Sequence, residues 1–528
     1  MAWTRAALAS VAAGAAAAVA LVSGGSPADP RTPGGLPGLP APFLGTAVVG
    51  GGGLTAAIDA YADVVDARAP GPAGRALIDN PASRQAAGTV ATDTGIVPRV
   101  RIGGGVAWPL WRADSVTQRY LPGANAVLTR GRFGPVAVEV VDAALGPRLV
   151  RLVTVSGPSR PRATPLLSIA PATDLDCEEA RSPRRLTLIC EPAPRGGEAA
   201  RSSLASSGAR VGAILARALA ADRGWLARAR PLGPGAPAWA RRLYGRSLLT
   251  LRALTDRRSG AVAAGARDGW AHVWPRDAGA VALAFAAAGY RPEARRVARF
   301  LLGLDLAAGA RFDGAGAPVP GRAAQGDAAG WVRVAAQAAD LPAPPRSVPW
   351  RDRADYQESH PSTYLANALA SPPADGPKSR HIGDKSAHRP LGGVFETPAG
   401  LVRGGGDSGL DSAAAWAVRP FPRPALFPAA RRTLLQLAAD QTRFGITPGE
   451  AWAGVDPWTA PTAWSAWSLA ALGERRQALA LLDDLRRAAT PAGALPERVD
   501  AETGVPRSTT PLAWSHAFAI LALRQLWP

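Results

Sequence analysis

The chain has 528 residues, 47% of them hydrophobic and only 19% charged, so it can build more than one core and is neither disordered nor fibrous. Its formal charge of +19 comes from 60 basic and 41 acidic residues, yet only two of the basic ones are lysines, Lys378 and Lys385. The arginines are scattered among abundant Ala, Gly and Pro, which reads as codon composition rather than a nucleic-acid footprint, and the surplus charge would favour at most weak association with an anionic cell wall.

Residues 1–29 have the layout of a secretory signal peptide: Arg5, an apolar stretch over residues 6–22, then small and turn-forming residues. An uncleaved anchor is the alternative, because the stretch is near the shortest length that spans a bilayer. Export is therefore the expectation. From residue 30 to about 207 the chain is written in short β-type runs, "VAVEVVDAA", "LVRLVTVSG", "TPLLSIAPA" and "RRLTLICEP", bounded by Gly, Pro or Asp. That spacing predicts an antiparallel β-sandwich. Cys177 and Cys190 are the only cysteines, and in an exported chain they would form a disulfide closing a short hairpin. Two cysteines and five scattered histidines give no metal-ligand spacing, and "GGGG" at residues 50–53 lacks the lysine and helix of a phosphate cradle. No cofactor is expected.

Residues 208–237 predict a helical linker ending in the Pro/Gly-rich "RPLGPGAPA". Beyond it, residues 238–528 change to a helical period, as in "AGAVALAFAAAGY", "PEARRVARFLLGL", "PTAWSAWSLAALGE" and "RRQALALLDDLRRA". Polar clusters recur in this half just before apolar runs: Arg276-Asp277, Gln325 with Asp327, Glu358, Arg403, Glu450 and Glu497. The steps are about 45 residues, the length of two average helices with their connections, with one short step before Glu358. Six clusters at that interval predict six helical hairpins presenting one loop each to the same rim, an (α/α)6 toroid with a funnel-shaped site. The short step and the Pro-rich residues 371–392 predict reduced or missing outer helices in the middle. Twelve of the 16 tryptophans lie at or beyond Trp239, a bias that suits both a carbohydrate site and a large helical core. Trp458, Trp464 and Trp467, at helical spacing, are read as core.

"HVWPRDAGA", "AAQGDAAGW" and "LPERVDAETGVPRSTTPLAWSHAFAILALRQL" resemble glycoside hydrolase family 15, the glucoamylase family. So does the order of parts, since bacterial members place a β-sandwich before the helical barrel. The resemblance implies an exo-acting, inverting hydrolase that releases β-glucose from α-linked ends, with an α-linked oligo- or polysaccharide as substrate. Such chemistry needs two carboxyl groups about 6.5–9.5 Å apart, an acid for the leaving oxygen and a base for the attacking water.

By the same resemblance Glu497 is the general base; the alternative is an ordinary loop carboxylate paired with Arg498 or Arg507. Glu358 matches the general acid, although Gln357 stands where family members usually carry Trp, and Glu396 and Glu450 are reserves. Arg276 and Asp277 would hold the terminal sugar, since a guanidinium and a carboxylate together bind a vicinal diol. The alternative makes Asp277 the N-cap of a helix starting at Ala278. Trp274 and Trp514 would be walls, and Asp327 and Arg403 further binding residues. The sandwich would pack against the barrel and lend one loop to the funnel. Three other readings are a trehalase, a non-catalytic glycan-binding relative that lost the acid, and a polysaccharide lyase using Tyr356 or His360 as base.

Overall fold

The computed structural model describes residues 35–78, 95–159, 162–170, 173–193, 208–266, 269–343, 348, 356, 364–371, 394–404 and 408–528. The signal segment and Glu358, Gln357 and His360 lie outside the described residues.

Two antiparallel sheets form the first part. In one, β1 (Gly45–Gly50), β2 (Thr55–Asp59), β3 (Val64–Ala69), β5 (Ile96–Ile102) and β11 (Ala163–Ile169) lie in that order, with β4 (Arg75–Ala76) on β3 and β6 (Ala107–Pro109) on β5. The other runs β12 (Leu175–Ser182), β13 (Arg185–Pro192), β10 (Arg148–Ser156), β9 (Val136–Leu145), β8 (Val127–Phe133) and β7 (Ser115–Tyr120). Period-two alternation fixes which face is inside: Val136, Val138 and Val140 of β9 are buried while the residues between them are only partly so. Cys177 and Cys190 stand opposite each other on β12 and β13 and are disulfide-bonded.

One buried cation links the sheets. Arg151 of β10 is fully buried, donates from Nε to Asp142 Oδ1 of β9 at 2.7 Å, and from Nη1 to the Ile96 carbonyl of β5 at 3.0 Å. Burial pushes the Asp142 carboxyl up and Arg151 pulls it back. Removing one partner of such a pair strands the other charge. Arg151→Ala is therefore expected to cost about 3–5 kcal/mol in urea unfolding, and Arg151→Met with Asp142→Leu to recover most of it. Equal stability of Arg151→Ala and wild type would contradict this role.

Helix α1 (Gly208–Leu226) lays Val211, Ile214 and Ala218 against Ala143, Val150 and Ile189 of the second sheet, then leads into α2 (Ala238–Ala253). The toroid follows. Its inner ring is α3 (Pro275–Ala287), α5 (Ala328–Ala338), α6 (Leu365–Ala370), a 3-10 turn (Ser412–Ala417), α8 (Thr459–Ala471) and α10 (Ala513–Leu526), with α10 packing back on α3 to close the circle. These segments are rich in Ala and Trp and are buried almost all round, as an inner position demands. Gly330 lets α5 touch α6 backbone to backbone; a Cβ there would lie 2.2 Å from the Ala370 carbonyl oxygen. The outer helices are α2, α4 (Arg291–Leu302), α7 (Phe427–Ala439) and α9 (Arg475–Ala488). α4 and α9 bury one stripe only: Ala294, Val297, Ala298 and Leu301 in the first, Ala478, Leu481, Leu482 and Leu485 in the second.

The reduction expected in the middle of the ring is seen among the described residues. Among the described residues there is no outer helix between α5 and α6 or between α6 and the 3-10 turn, where only the hairpin β14 (Phe395–Thr397) and β15 (Gly400–Val402) intervenes. "LPAPPRSVP" at residues 341–349 and the Pro-rich stretch after residue 371 are poor helix formers. The ring keeps its six inner members, two of them short.

Aromatic side chains plug the ring's axis. Trp331, Trp416, Trp464 and Phe518 are fully buried, with centroids 5.1 Å apart for Trp331–Trp416, 5.4 Å for Trp416–Trp464 and 5.6 Å for Trp464–Phe518.

Candidate active site

Above this plug the loops that enter the inner segments meet. Neighbouring loops are stitched by single β-bridges, Gly265 to Leu512, Asp411 to Gly449 and Trp458 to Arg498. They enclose a cavity of about 360 Å³ lined by Trp270, Trp274, Arg276, Asp277, Arg322 and Tyr356, and on its other side by Trp452, Trp458, Glu497, Arg498, Ser508 and Trp514. No described residue of the sandwich lines it, and residues 79–94 of that part lie outside the described residues; the sandwich packs against the toroid, as where Thr55 Oγ1 donates to the Ala253 carbonyl at the end of α2.

Glu497 is held from both directions. Its amide donates to the Thr509 carbonyl at 2.9 Å and its carbonyl accepts the Thr459 amide at 3.0 Å. Just upstream, the Leu495 amide donates to His516 Nε2 at 3.0 Å, which leaves Nδ1 to carry the proton towards Ser247 Oγ at 2.9 Å. Complete burial keeps that imidazole neutral, pushing its pKa well below the usual value. At the side chain, Trp270 Nε1 donates to Oε1 at 3.2 Å and Ser508 Oγ donates to Oε2. Glu497 makes no salt bridge among the described residues, since Arg507 is paired with Asp500 and Arg498 with Asp456. Two of the carboxylate's lone-pair sites are thus occupied and two remain for a ligand or water.

Arg276 and Asp277 open α3. The helix starts at Pro275 with Trp274 in the N-cap position, so Asp277 lies in the first turn and not at the cap. Arg276 Nη1 donates to Gln325 Oε1 at 2.6 Å and to Asp327 Oδ2 at 2.9 Å, while its guanidinium lies 5.0 Å from the Trp514 ring. Asp277 stands beside it, Oδ2 4.0 Å from Nε. Burial pushes the Asp277 carboxyl up to about 7; Arg276 pulls it down, and the Glu497 and Asp327 carboxylates push it further up.

The other expected residues fall into two layers. Trp274 and Trp514 line the cavity. Asp327 is fully buried and outside the lining; it stands behind Arg276 and orients it. Arg403 is likewise outside the lining: it donates to Asp411 Oδ2 at 2.9 Å, and Asp411 Oδ1 accepts the Tyr356 phenol at 2.9 Å. It therefore acts on the cavity through Tyr356. A phenol locked as donor to a carboxylate is poorly placed as a lyase base. Glu450 accepts the Leu410 amide and Glu396 pairs with Arg432, both outside this cavity. Trp464 and Trp467 are core as read, but Trp458 lines the cavity, because it precedes α8 instead of lying on it.

Sequence reasoning missed Trp270, Ser508, Arg322 and Trp452. The signal for three of them was present: Trp270 stands four residues before Trp274, Ser508 falls within the quoted Glu497 segment, and Trp452 two residues after Glu450. Arg322 carried none; it is placed by its guanidinium, 5.4 Å from the Trp274 ring.

No protein-family profile and no curated protein matches the chain. Solved structures do. A bacterial glucoamylase determined in complex with acarbose aligns at a TM-score of 0.67 and 12% identity, covering 95% of this chain and 95% of its own. Two looser matches are a glycosidase at 19% identity and TM-score 0.44, covering 55% of this chain and 99% of its own, and the glucoamylase of Saccharomycopsis fibuligera at 12% and 0.40, covering 55% and 94%. With sandwich and toroid both inside the 95% alignment, this chain has the two-part fold of that bacterial glucoamylase.

Proposed function

We propose that the protein is an exported, exo-acting, inverting α-glycoside hydrolase that releases glucose from the ends of α-glucans or α-glucosides. The observation that carries this reading is one cavity holding a carboxylate, Glu497, that no cation among the described residues pairs with, together with an Arg-Asp pair and a wall of aromatic rings. Glu497 is the base: its free lone pairs can take the proton of an attacking water. Arg276 and Asp277 grip the terminal sugar, whose faces rest on Trp and Tyr rings. Beneath them the aromatic plug closes the axis, so the cavity is blind-ended and suits a chain end rather than a chain middle. The general acid is assigned to Glu358 by sequence, two residues after the cavity residue Tyr356. The glucoamylase of matching fold binds acarbose, which agrees with an α-glucan substrate here. Export rests on the sequence of residues 1–29.

Incubation with maltotriose, isomaltotriose and trehalose tests the reading. Glucose release from at least one is expected, and release from none, with sugar binding intact, would overturn it in favour of a glycan-binding protein. Ser508→Ala removes a hydrogen bond that orients the base without touching the sugar grip. It should lower kcat about tenfold and leave KM within a factor of about two, in steady-state kinetics on the best of these substrates. An unchanged kcat would remove Ser508 from the account.

A further inference from the structure

The linker helix and the toroid enclose a second cavity, of about 340 Å³, that shares no lining residue with the first. Its charge pattern has no part in the proposed hydrolysis. Arg252, from the last turn of α2, forms the floor and is 6% exposed. Its guanidinium lies 4.9 Å from the ring of Trp225, which is itself stacked on Tyr290 at 4.0 Å. The Nε and Nη1 hydrogens of Arg252 have no hydrogen-bond partner among the described residues. The nearest carboxylate, Asp222, is 3.3 Å from Nε without hydrogen-bond geometry, and its other oxygen accepts the Asn125 amide. Burial, and then the charge of Arg257, lower this guanidinium to about 10.

Three more arginines, Arg228, Arg257 and Arg296, ring the mouth. Glu293 fixes two of them: its Oε1 accepts from Trp225 Nε1 at 3.1 Å and Arg228 Nη2 at 3.4 Å, and lies 3.8 Å from Arg296 Nη2. The lining therefore carries four guanidinium groups against two carboxyls, Asp256 and Glu293. Both faces of the chemistry lack the same thing. A buried guanidinium with unmade hydrogen bonds is costly unless something completes it, and clustered arginines repel one another until a multivalent anion spreads their charge. A planar fork of N–H donors at the floor, with further forks at the rim, fits a tetrahedral oxyanion rather than a point charge. A neutral sugar is a poorer fit, because Trp225 is already stacked on Tyr290 and capped by Arg252.

We propose that this cavity is a binding site for a phosphate-class oxyanion, either free phosphate or the phosphoryl group of a monoester, with Arg252 as the buried donor and Arg257 at its mouth. The site is independent of the hydrolase reading and stands or falls separately. Isothermal titration calorimetry of the full chain, at constant ionic strength in chloride, tests it with inorganic phosphate, glucose 6-phosphate and glucose. Saturable one-to-one binding of phosphate or of the monoester is expected, and the tighter of the two identifies the source. Arg252→Gln should weaken it roughly tenfold or more. Arg257→Gln, at an exposed position where folding is not at stake, should weaken it severalfold and guards against a misfolded floor variant. The proposal is overturned if neither anion binds saturably, if both variants bind as wild type does, or if glucose binds here as tightly as its phosphate.

Discussion

Glu497→Gln is expected to lower kcat on the best α-glucan substrate by about 10²–10⁴-fold while KM stays within a few-fold, the range for removing a general base that does not grip the ground state. The size of the loss follows from the site's construction. The base position is set by the backbone pairs with Thr459 and Thr509 and by His516 behind Leu495, none of which depends on the carboxylate itself. Glutamine keeps the shape and can still accept from Trp270, and Ser508 can rotate to accept from the new amide. The fold therefore stays intact, and the thermal midpoint should shift by no more than a few degrees. A variant with near wild-type kcat would remove Glu497 from the chemistry.

Asp277→Asn is expected to make the free protein more stable at pH 8 while lowering kcat/KM by at least about 100-fold. The wild-type carboxyl is raised from 3.8 to about 7, chiefly by burial. Between about pH 4 and pH 7 the native state therefore holds a proton that the unfolded chain has released, and stability falls as pH rises through that window. Asparagine does not titrate, so its advantage over wild type should be small near pH 4 and grow until about pH 7. The full shift corresponds to an upper bound of about 4 kcal/mol, at about 1.36 kcal/mol per unit. Urea unfolding of both proteins at pH 4, 6 and 8 checks the trend, and a constant difference across the three would contradict it. Carrying such a carboxyl makes sense if Asp277 meets a ligand hydroxyl, as a group kept for function at a cost in stability.

The architecture was legible in the sequence because its signals are strong and local. Period-two runs such as "VAVEVVDAA" became β9, and the described polar landmarks fell at the start of an inner segment or in the loop that enters it, which is why Arg276, Asp277 and Glu497 converge. The regular spacing reports inner segments and is blind to whether an outer helix accompanies each one; the short step before Glu358 and the Pro-rich residues 371–392 carried that second signal. Layering was also invisible. Asp327 and Arg403 are landmarks by position, yet a buried partner that aims a ligand-facing residue has the same one-dimensional signature as that residue. Trp458 was misread because helical spacing to Trp464 and Trp467 extends one residue past the helix that bears them. Trp270 and Ser508 stand beside quoted motifs, but that both bind the Glu497 carboxylate, from 227 residues away in the case of Trp270, shows only in the fold.

The most direct test is the anomeric form of the first product. Proton NMR during the first minutes of hydrolysis, before mutarotation, should show β-glucose accumulating from the best α-linked substrate, with the signal lost in Glu497→Gln. Inversion by a base acting on water requires that result. Initial release of α-glucose, or β-glucose formed equally well by the Glu497→Gln protein, would contradict the account.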